Sequence, residues 1–508
     1  MHREKDEETT THPMPEQSKK RRQRKRTAAA TLLLAYAALA MERADAALLP
    51  SVYREIGAAL QASPTALGSI ALSRSVVQAA CYPLAAYLAA RHDRLTVIAL
   101  GAFLWAAATL LIGLSTTFAQ ADDAILQMAV TAALNGVGLA LQIPAIFAFV
   151  ADSIDGSNRG MAFGWLMVAS KVGTVGGTTL GLLMAPTTFF GIPGWRLAFL
   201  LLAAMGAAVG VSIRAFAAAG SKAPARAAKP VRQELQDFAR EAKAVLRIPS
   251  FQVIVAQGLT GSFPWSALSF TAMWLELVGF SHGETAALIT LFKVATSLGG
   301  LFGGKMGDVL AGRLKNSGRI ILSQISSGSA IPLCAVLLLA LPNNPASFAK
   351  HGAALFVMGF MASWNTSATN SPILAEIVPP RSRTTVFALD RTFEAVLASF
   401  APPVVGLLAE RIYGYKLVHR PDAGGADHAA SVETDRHNAT SLARALYTAI
   451  AIPMALCCLV YSFLYCTYPR DRDLARAETA REGGGARPGG DESDSEDEGD
   501  DERKLLPQ

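Results

Sequence analysis

The chain has 508 residues, of which 51% are hydrophobic and 17% charged, and its mean hydropathy is +0.31. This composition is too apolar for an ordinary soluble protein of this length and indicates a polytopic membrane protein. The net charge is +6, but the basic run at residues 19–26 directly precedes an apolar segment. That position indicates membrane topology and no nucleic-acid partner.

The predicted elements begin after a polar tail. Residues 1–26 predict a cytosolic N-terminal tail without a cleavable signal peptide. A helix needs about 20 mostly apolar residues to cross the hydrocarbon core. Twelve such segments follow, at about 28–52, 65–90, 95–118, 124–151, 161–187, 195–214, 251–278, 284–306, 320–341, 351–376, 384–409 and 441–467. They predict an all-α integral membrane protein with two pseudo-symmetric six-helix halves, residues 27–214 and 251–468.

Polar segments separate and follow these halves. Residues 215–250 predict a cytosolic linker, and the acidic residues 469–508 predict a disordered cytosolic tail. The tail ends in an acidic dileucine pattern with Leu505 and Leu506, which suggests sorting machinery as a partner. The membrane is left open between the plasma membrane and an endosomal or vacuolar one. Asn438 begins a permissible glycosylation sequon in the last non-cytosolic loop.

Ionisable residues occur inside otherwise apolar spans. An isolated charge at bilayer depth is costly, so such residues usually face a polar interior and mark a substrate or ion path. They fall in the first, second, fifth, eighth and eleventh spans, and the third, sixth, ninth and twelfth have none at mid-depth. The six residues are Glu42, Arg43, Arg74, Lys171, Lys293 and Glu394.

Helix geometry places most of these charges near the midplane. At a rise of about 1.5 Å per residue, Arg74 and Lys293 lie about 15 Å below the non-cytosolic ends of their spans. Lys171 and Glu394 lie about 17 Å from the cytosolic ends of theirs. Lys171 and Glu394 could neutralise each other as a buried pair, whereas the surplus positive charge of Arg74 and Lys293 favours an anionic ligand.

A loop signature is repeated in the two halves. Asp152 leaves the fourth span with Arg159 seven residues later, and Glu376 leaves the tenth span with Arg383 seven residues later. An acid and an arginine in such a turn can pair across the cytosolic face. The repetition suggests a duplicated transporter architecture with these four residues in gating.

Further landmarks identify a family resemblance. The segment Gly304-Lys-Met-Gly307-Asp308, followed by Arg313 and Arg319, resembles the cytoplasmic loop of the major facilitator superfamily. The fourth and sixth spans carry family-like Asn135-Gly136-x-Gly138-x-Ala140 and Gly194-Trp195-Arg196. The resemblance covers about residues 28 to 468 and implies alternating access, with Asp308 and Arg313 in gating.

Two departures weaken the implied coupling. Ala90 stands where the first-half loop of the family has its Asp, so we expect Arg91, Asp93 and Arg94 to form a weaker or rebuilt gate. Ala132 stands where the fourth helix of the family usually has an Arg. Proton coupling, uniport, symport and antiport therefore stay open.

The first span carries Glu42, Arg43 and Asp45, with both acids on one helix face. An acid followed by an arginine here resembles the pair of spinster-like carriers, and also that of anion:cation symporters. In the spinster-like family this position is implicated in coupling and in reading a lysolipid or sphingoid phosphate headgroup. The resemblance therefore implies coupling by Glu42 and substrate binding by Arg43, and we expect Asp45 and Glu394 to take part in coupling as well. Pairing of Glu42 with Arg43 as a structural ion pair is the alternative.

The remaining substrate-binding candidates are Arg74, Lys171 and Lys293, with Trp265, Asn365 and Asn370 as lining. No nucleotide-binding loop, nucleophile elbow or metal-ligand spacing indicates an enzyme, a cofactor or a metal. We expect a secondary transporter of an anionic organic or amphipathic lipid-like solute, with protons and membrane lipids as further partners. A non-transporting sensor or scaffold with the same fold is the alternative.

Overall fold

A computed structural model of the chain describes residues 15–115, 121–153, 159–220, 231–379, 382–416 and 427–484. It confirms an all-α fold in two halves, to which the described part adds one two-residue β-hairpin, Thr188–Phe189 paired with Ile192–Pro193. Leu505 and Leu506 lie outside the described residues. The predicted domain boundaries stay predictions.

The N-terminal half contains six long helices and one short one. Their bounds are α1 Pro15–Ser51, α2 Tyr53–Leu60, α3 Pro64–Arg91, α4 Arg94–Leu114, α5 Ala121–Ser153, α6 Arg159–Met184 and α7 Gly194–Gly220. The connection to the C-terminal half contains α8, Val231–Leu246. The predicted spans of this half each correspond to one long helix.

The C-terminal half is more interrupted. Its helices are α9 Pro249–Ala267, α10 Thr271–Val278, α11 His282–Arg313, α12 Gly318–Ala335, α13 Phe348–Ala362, α14 Ser371–Glu376, α15 Arg383–Ala398, α16 Ala401–Leu407, α17 Asp427–Tyr461 and α18 Leu464–Gly484. A 3₁₀ turn joins α9 to α10 just after Pro264, and a π-helical segment, Thr366–Asn370, precedes α14. Pro264 lacks a backbone donor and so weakens the last turns of α9 before this junction.

Polar side chains fix where several helices begin. Ser63 accepts a hydrogen bond from the amide of Ala66 at the start of α3, and Asp93 accepts one from Thr96 at the start of α4. Ser281 and Glu284 form a reciprocal capping box at the start of α11. Each cap satisfies a backbone donor that the first helical turn leaves free, so these residues set the lengths of the spans.

Eight helices of the described residues are long and apolar enough to cross a membrane. They correspond to the third to sixth, eighth, ninth, eleventh and twelfth predicted spans. The seventh and tenth predicted spans are divided between α9 and α10 and between α13 and α14. The helix of the first predicted span is not among the eight, and it carries three charged residues, Glu42, Arg43 and Asp45.

Helices α1 and α6 pack closely because glycines line their contact. A Cβ atom on Gly173 would clash with the backbone of Ala40, and one on Gly177 would clash with the backbone of Ala44. Small residues allow two membrane helices to approach at backbone distance. The neighbouring Gly176 faces open space.

Asn438, the first residue of the glycosylation sequon, has a structural role in the fold. Its side chain is fully buried. The amide group donates to the carbonyl of Lys416 at 2.7 Å and accepts from the Lys416 amide at 2.8 Å. Asn438 therefore connects α17 to the segment after α16.

The glycine contact predicts an effect on stability. We expect Gly177→Leu to lower the melting temperature of the purified protein, because overpacking a tight contact costs about 1–3 kcal/mol or more. Gly176→Leu is the matched control, since it makes the same change one residue away without a clash. Equal melting temperatures for the two variants would contradict the packing.

Candidate functional site

A cavity of about 520 Å³ lies between the two halves. It is bounded by residues of α1, α2, α3 and α6 on one side and of α9 to α13 and α15 to α17 on the other. A volume of this size accommodates an organic ligand.

The wall from the N-terminal half is polar and cationic. Its apolar lining residues are small, namely alanines and Pro50. Its polar and aromatic lining residues are Arg43, Ser51, Tyr53, Arg74, Ser75, Gln78, Tyr82, Thr174 and Thr178. This wall offers hydrogen-bond donors and two guanidinium groups.

The wall from the C-terminal half is mainly apolar. Its larger apolar lining residues are Trp265, Leu268, Trp274, Ile289, Phe292, Leu337, Leu338, Leu355, Met358, Leu446 and Ile450. Lys293 is the charged residue in this wall, and its ammonium lies 5.7 Å from the ring centre of Phe292. The cavity is therefore amphipathic, with its apolar area concentrated on one side.

The carboxylates of the first helix are enclosed behind the cavity. Glu42 and Asp45 are each about 98% buried or more, and neither lines the cavity. Asp45 accepts hydrogen bonds from Thr109 at 2.8 Å and from Asn135 at 2.9 Å. Glu42 lies 3.0 Å from Nε of Arg43, but that N–H is not directed at the oxygen.

The cations have the more open positions. Arg74 donates to the backbone carbonyl of Ala46 at 3.4 Å. Lys171 is exposed on α6, outside the cavity lining, yet near enough to Arg43 and Lys293 for the charges to repel. Among the described lining residues there are three cations and no carboxylate.

Other predicted site residues make contacts within their own half. Glu394 pairs with Arg391 at 2.9 Å and not with Lys171. Asn365 donates to Ser327 at 2.9 Å, and Asn370 accepts from Tyr461 at 2.8 Å. These asparagines connect helices and lie outside the cavity lining, whereas Trp265 lies within it.

A gate-like cluster lies at the end of the bundle that carries the α11–α12 loop. Asp308 pairs with Arg319 at 2.9 Å, and Arg319 also lies 3.9 Å from Glu376. Glu376 accepts a short hydrogen bond from Tyr468. Asp93 instead caps α4 by accepting from Thr96. Each of these contacts joins two residues of the same half of the protein.

The contacts named above do not include the other predicted gating residues. Arg94 begins α4, and Arg313 is exposed in the last turn of α11. The side chains of four others lie outside the described part of the structure, namely Arg91, Asp152, Arg159 and Arg383.

The opposite end of the bundle, here called the closed end, joins the two halves. Tyr53 and Phe270 lie with ring centres 5.0 Å apart. Arg54 pairs with Asp435 at 2.8 Å and donates to the carbonyl of Glu276 at 3.2 Å. The amide of Thr65 at the start of α3 donates to Glu410 at 2.6 Å. These contacts seal the cavity at this end.

Acidic groups accumulate at the closed end. Glu55 of α2 lies close to Glu276 of α10 and to His282 at the start of α11. Burial and the neighbouring Glu276 carboxylate raise the pKa of Glu55 to about 7. Proximity of like charges in a partly desolvated site has this effect.

The sequence analysis did not select the residues of the closed end. Arg54 and Asp435 are 381 residues apart, and no local spacing connects them. Arg319 belongs to the loop motif around Asp308, but no gating role was predicted for it. Charged residues that flank a span are the available signal, but they are common in membrane proteins.

The family follows from comparison with known proteins. The sequence model of the Major Facilitator Superfamily matches residues 30–402. The chain belongs to this superfamily. It is accordingly a multi-pass membrane protein of a transporter family and not of an enzyme family.

Two curated relatives agree with this assignment. The MFS-type efflux pump of Mycolicibacterium smegmatis is 26% identical over 432 residues, which cover 83% of this chain and 89% of that protein. The uncharacterized MFS-type transporter YtbD of Bacillus subtilis is 28% identical over 195 residues. That match covers 36% of this chain and only 45% of YtbD.

A solved structure of similar fold is that of a bacterial homolog of the human lysosomal transporter Spinster, in an inward-facing and unoccupied conformation. Its TM-score is 0.71 at 18% identity, and the match covers 88% of this chain and 98% of that one. At this identity the likeness shows the fold alone. This major facilitator resembles the spinster-like branch in architecture.

The closed end predicts a conformational effect of Arg54→Ala. This variant loses a half-exposed ion pair and a hydrogen bond between the halves, together worth about 1 kcal/mol. The open population at this end should rise about fivefold. The open population is measured from the distribution of distances between spin labels attached at Ala59→Cys and Lys350→Cys in a cysteine-free background.

Arg411→Ala is the matched control for this experiment. Arg411 is exposed near the same end, and none of the described contacts between the halves involves it. An unchanged distance distribution in Arg54→Ala, or an equal change in Arg411→Ala, would count against the assigned contacts.

Proposed function

We propose that this transporter moves an amphipathic anion, of the lysolipid or sphingoid phosphate class, across its membrane by alternating access. The observation that carries the proposal is the asymmetric cavity, whose described lining has three cations and no carboxylate. The amphipathic division of its walls supports a substrate with a charged head and an apolar tail.

The head of the substrate belongs near the cations. Arg74 can bind a phosphate or carboxylate with two parallel N–H groups, and Lys293 can contribute a third donor from the opposite half. Arg43 is partly neutralised by Glu42 at 3.0 Å, which leaves Arg74 and Lys293 as the less compensated charges. An anion between them would offset charge that the protein itself leaves unbalanced.

The tail of the substrate belongs against the C-terminal wall. Leu337, Leu338, Leu355 and Met358 line this wall together. Burying an apolar chain contributes about 0.8 kcal/mol per methylene group, so this wall favours long-chain anions over small ones. The Spinster likeness fits such a substrate by analogy of fold only.

The orientation is part of the proposal. The basic run at residues 19–26 favours a cytosolic N-terminus, which would put the closed end on the non-cytosolic side. The contacts at the closed end then correspond to an inward-facing state with both termini cytosolic. A plasma-membrane or endosomal location fits this orientation, with Leu505 and Leu506 as the proposed sorting signal.

The cation pair predicts substrate affinity. We expect Arg74→Gln and Lys293→Gln each to weaken the binding of lysophosphatidate by about 10- to 100-fold, because a charged hydrogen bond contributes about 1.5–3 kcal/mol. Isothermal titration of the purified protein measures this change. Lys305→Gln is the matched control, since Lys305 is an exposed lysine of the same helix outside the cavity lining.

A neutral ligand completes this test. Monoacylglycerol of the same chain length should bind much more weakly than lysophosphatidate to the unsubstituted protein. Equal binding of the two ligands, or an equal loss in Lys305→Gln, would contradict recognition by charge.

The enclosed acid predicts coupling. We propose that Glu42 exchanges a proton as Arg43 releases the substrate, because the two side chains contact each other beside the cavity. In proteoliposomes, Glu42→Gln should abolish accumulation driven by a pH gradient while leaving counterflow exchange intact. Glu433→Gln, at an exposed site of α17, is the control.

Undiminished gradient-driven accumulation in Glu42→Gln would exclude this coupling role. A non-transporting sensor or scaffold is the other function consistent with Ala90 and Ala132. It would be supported by lysophosphatidate binding without counterflow exchange in the unsubstituted protein.

A further inference from the structure

A cluster at the closed end consists of the side chains of Glu55, Glu276 and His282, here called the outer triad. Their ligand atoms all lie within 4.8 Å of one another. Glu55 comes from the N-terminal half, whereas Glu276 and His282 come from the C-terminal half. The outer triad therefore joins the two halves across the closed end.

We propose that the outer triad binds a divalent transition-metal ion, of which Zn²⁺ is the best match, and that this ion holds the closed end shut. Two carboxylates and one imidazole give three protein ligands, and water can complete a tetrahedral site. The imidazole favours a transition metal over Mg²⁺ or Ca²⁺, which prefer oxygen ligands only.

The measured separations suit such an ion. Metal–ligand bonds of about 2.0–2.1 Å in a tetrahedron place neighbouring ligand atoms about 3.3 Å apart. Nδ1 of His282 lies 2.7 Å from Oε1 of Glu276 and 3.8 Å from Oε1 of Glu55. Both distances from Nδ1 lie within about half an ångström of this value, and the two carboxylates, whose ligand atoms lie within 4.8 Å of each other, would draw together around the ion. The ion would replace the Nδ1 proton, which is released to water.

An unpartnered buried carboxylate oxygen gives an independent indication of a cation. The Glu276 side chain is 1% exposed, and its Oε2 has no hydrogen-bond partner among the described residues. Oε2 of Glu55 lacks a partner in the same way. A buried charged oxygen without a partner is costly, so a bound cation would stabilise this arrangement.

The surroundings favour a cation as well. Arg54 is the nearby cation, and its guanidinium already pairs with Asp435 at 2.8 Å. Arg54 therefore neutralises Asp435 directly and leaves the carboxylates of Glu55 and Glu276 without an ion pair to it among the described contacts. His282 is 26% exposed and Glu55 15% exposed, which leaves a path for an ion from the surface.

Binding should depend on conformation. Opening of the closed end separates α2 from α10 and α11, so the complete set of ligands exists only while this end is shut. An ion that binds only this state stabilises it by mass action. The proposal concerns metal binding and does not depend on the identity of the transported solute.

The test is titration of the purified full-length protein with ZnCl₂, followed by calorimetry and thermal unfolding. We expect saturable binding and a higher melting temperature. Glu55→Gln and His282→Asn should each raise the Zn²⁺ concentration at half-saturation by at least about tenfold. His437→Asn, which changes an exposed histidine outside the outer triad, should leave this concentration unchanged.

A conformational measurement gives a second readout. Adding Zn²⁺ to the spin-labelled Arg54→Ala protein should restore the short distance between positions 59 and 350. Glu55→Gln in that background should abolish the restoration.

Three results would overturn the proposal. They are no effect of millimolar Zn²⁺ on the unsubstituted protein, a Zn²⁺ dependence of Glu55→Gln and His282→Asn equal to that of the unsubstituted protein, or binding of Mg²⁺ and Ca²⁺ as tight as that of Zn²⁺. Glu276→Gln serves as a further ligand variant if one of the other two does not fold.

Discussion

The organisation of this protein depends on the cost of placing a charge at membrane depth. Such a charge must be paired, hydrogen-bonded inside the protein, or directed at a polar cavity. The first helix shows the first two solutions side by side. Asp45 is held by Thr109 and Asn135, and Glu42 contacts Arg43. With these acids enclosed, the cavity between the halves is left with cations.

This separation of charges accounts for the chemistry of the cavity. The N-terminal half contributes guanidinium and hydroxyl groups, and the C-terminal half contributes large apolar side chains and Lys293. In the proposed binding mode, the head of an amphipathic anion would lie between Arg74 and Lys293, and its tail would lie against the apolar side chains of the C-terminal half. A substrate that contacts both halves can bias the equilibrium between the two states of a rocking-bundle transporter.

The fold and the charged helices could be predicted from the sequence because both follow from local patterns. Apolar segments of about 20 residues gave the spans, and the mid-depth position of Arg74 and Lys293 followed from helical rise. The partners could not be predicted in this way. Glu394 pairs with Arg391 one turn away, while Asn370 meets Tyr461 from another helix. Such choices depend on helix rotation and on contacts between distant segments.

The same limit applies to the closed end. Arg54, Glu276 and Asp435 meet only because the two halves pack against each other there. None belongs to a motif, and each is an ordinary charged residue near the end of a span. Charges of this kind set the relative stability of the two conformations, and a static sequence pattern does not reveal them.

We propose that Arg74 and Lys293 form the headgroup site of an amphipathic anion. An experimental structure of the protein with bound lysophosphatidate tests it most directly. We expect the phosphate within about 4 Å of the Arg74 guanidinium or the Lys293 ammonium, with the acyl chain against Leu337 and Met358. A phosphate bound away from both cations, or an acyl chain against the N-terminal wall, would contradict it.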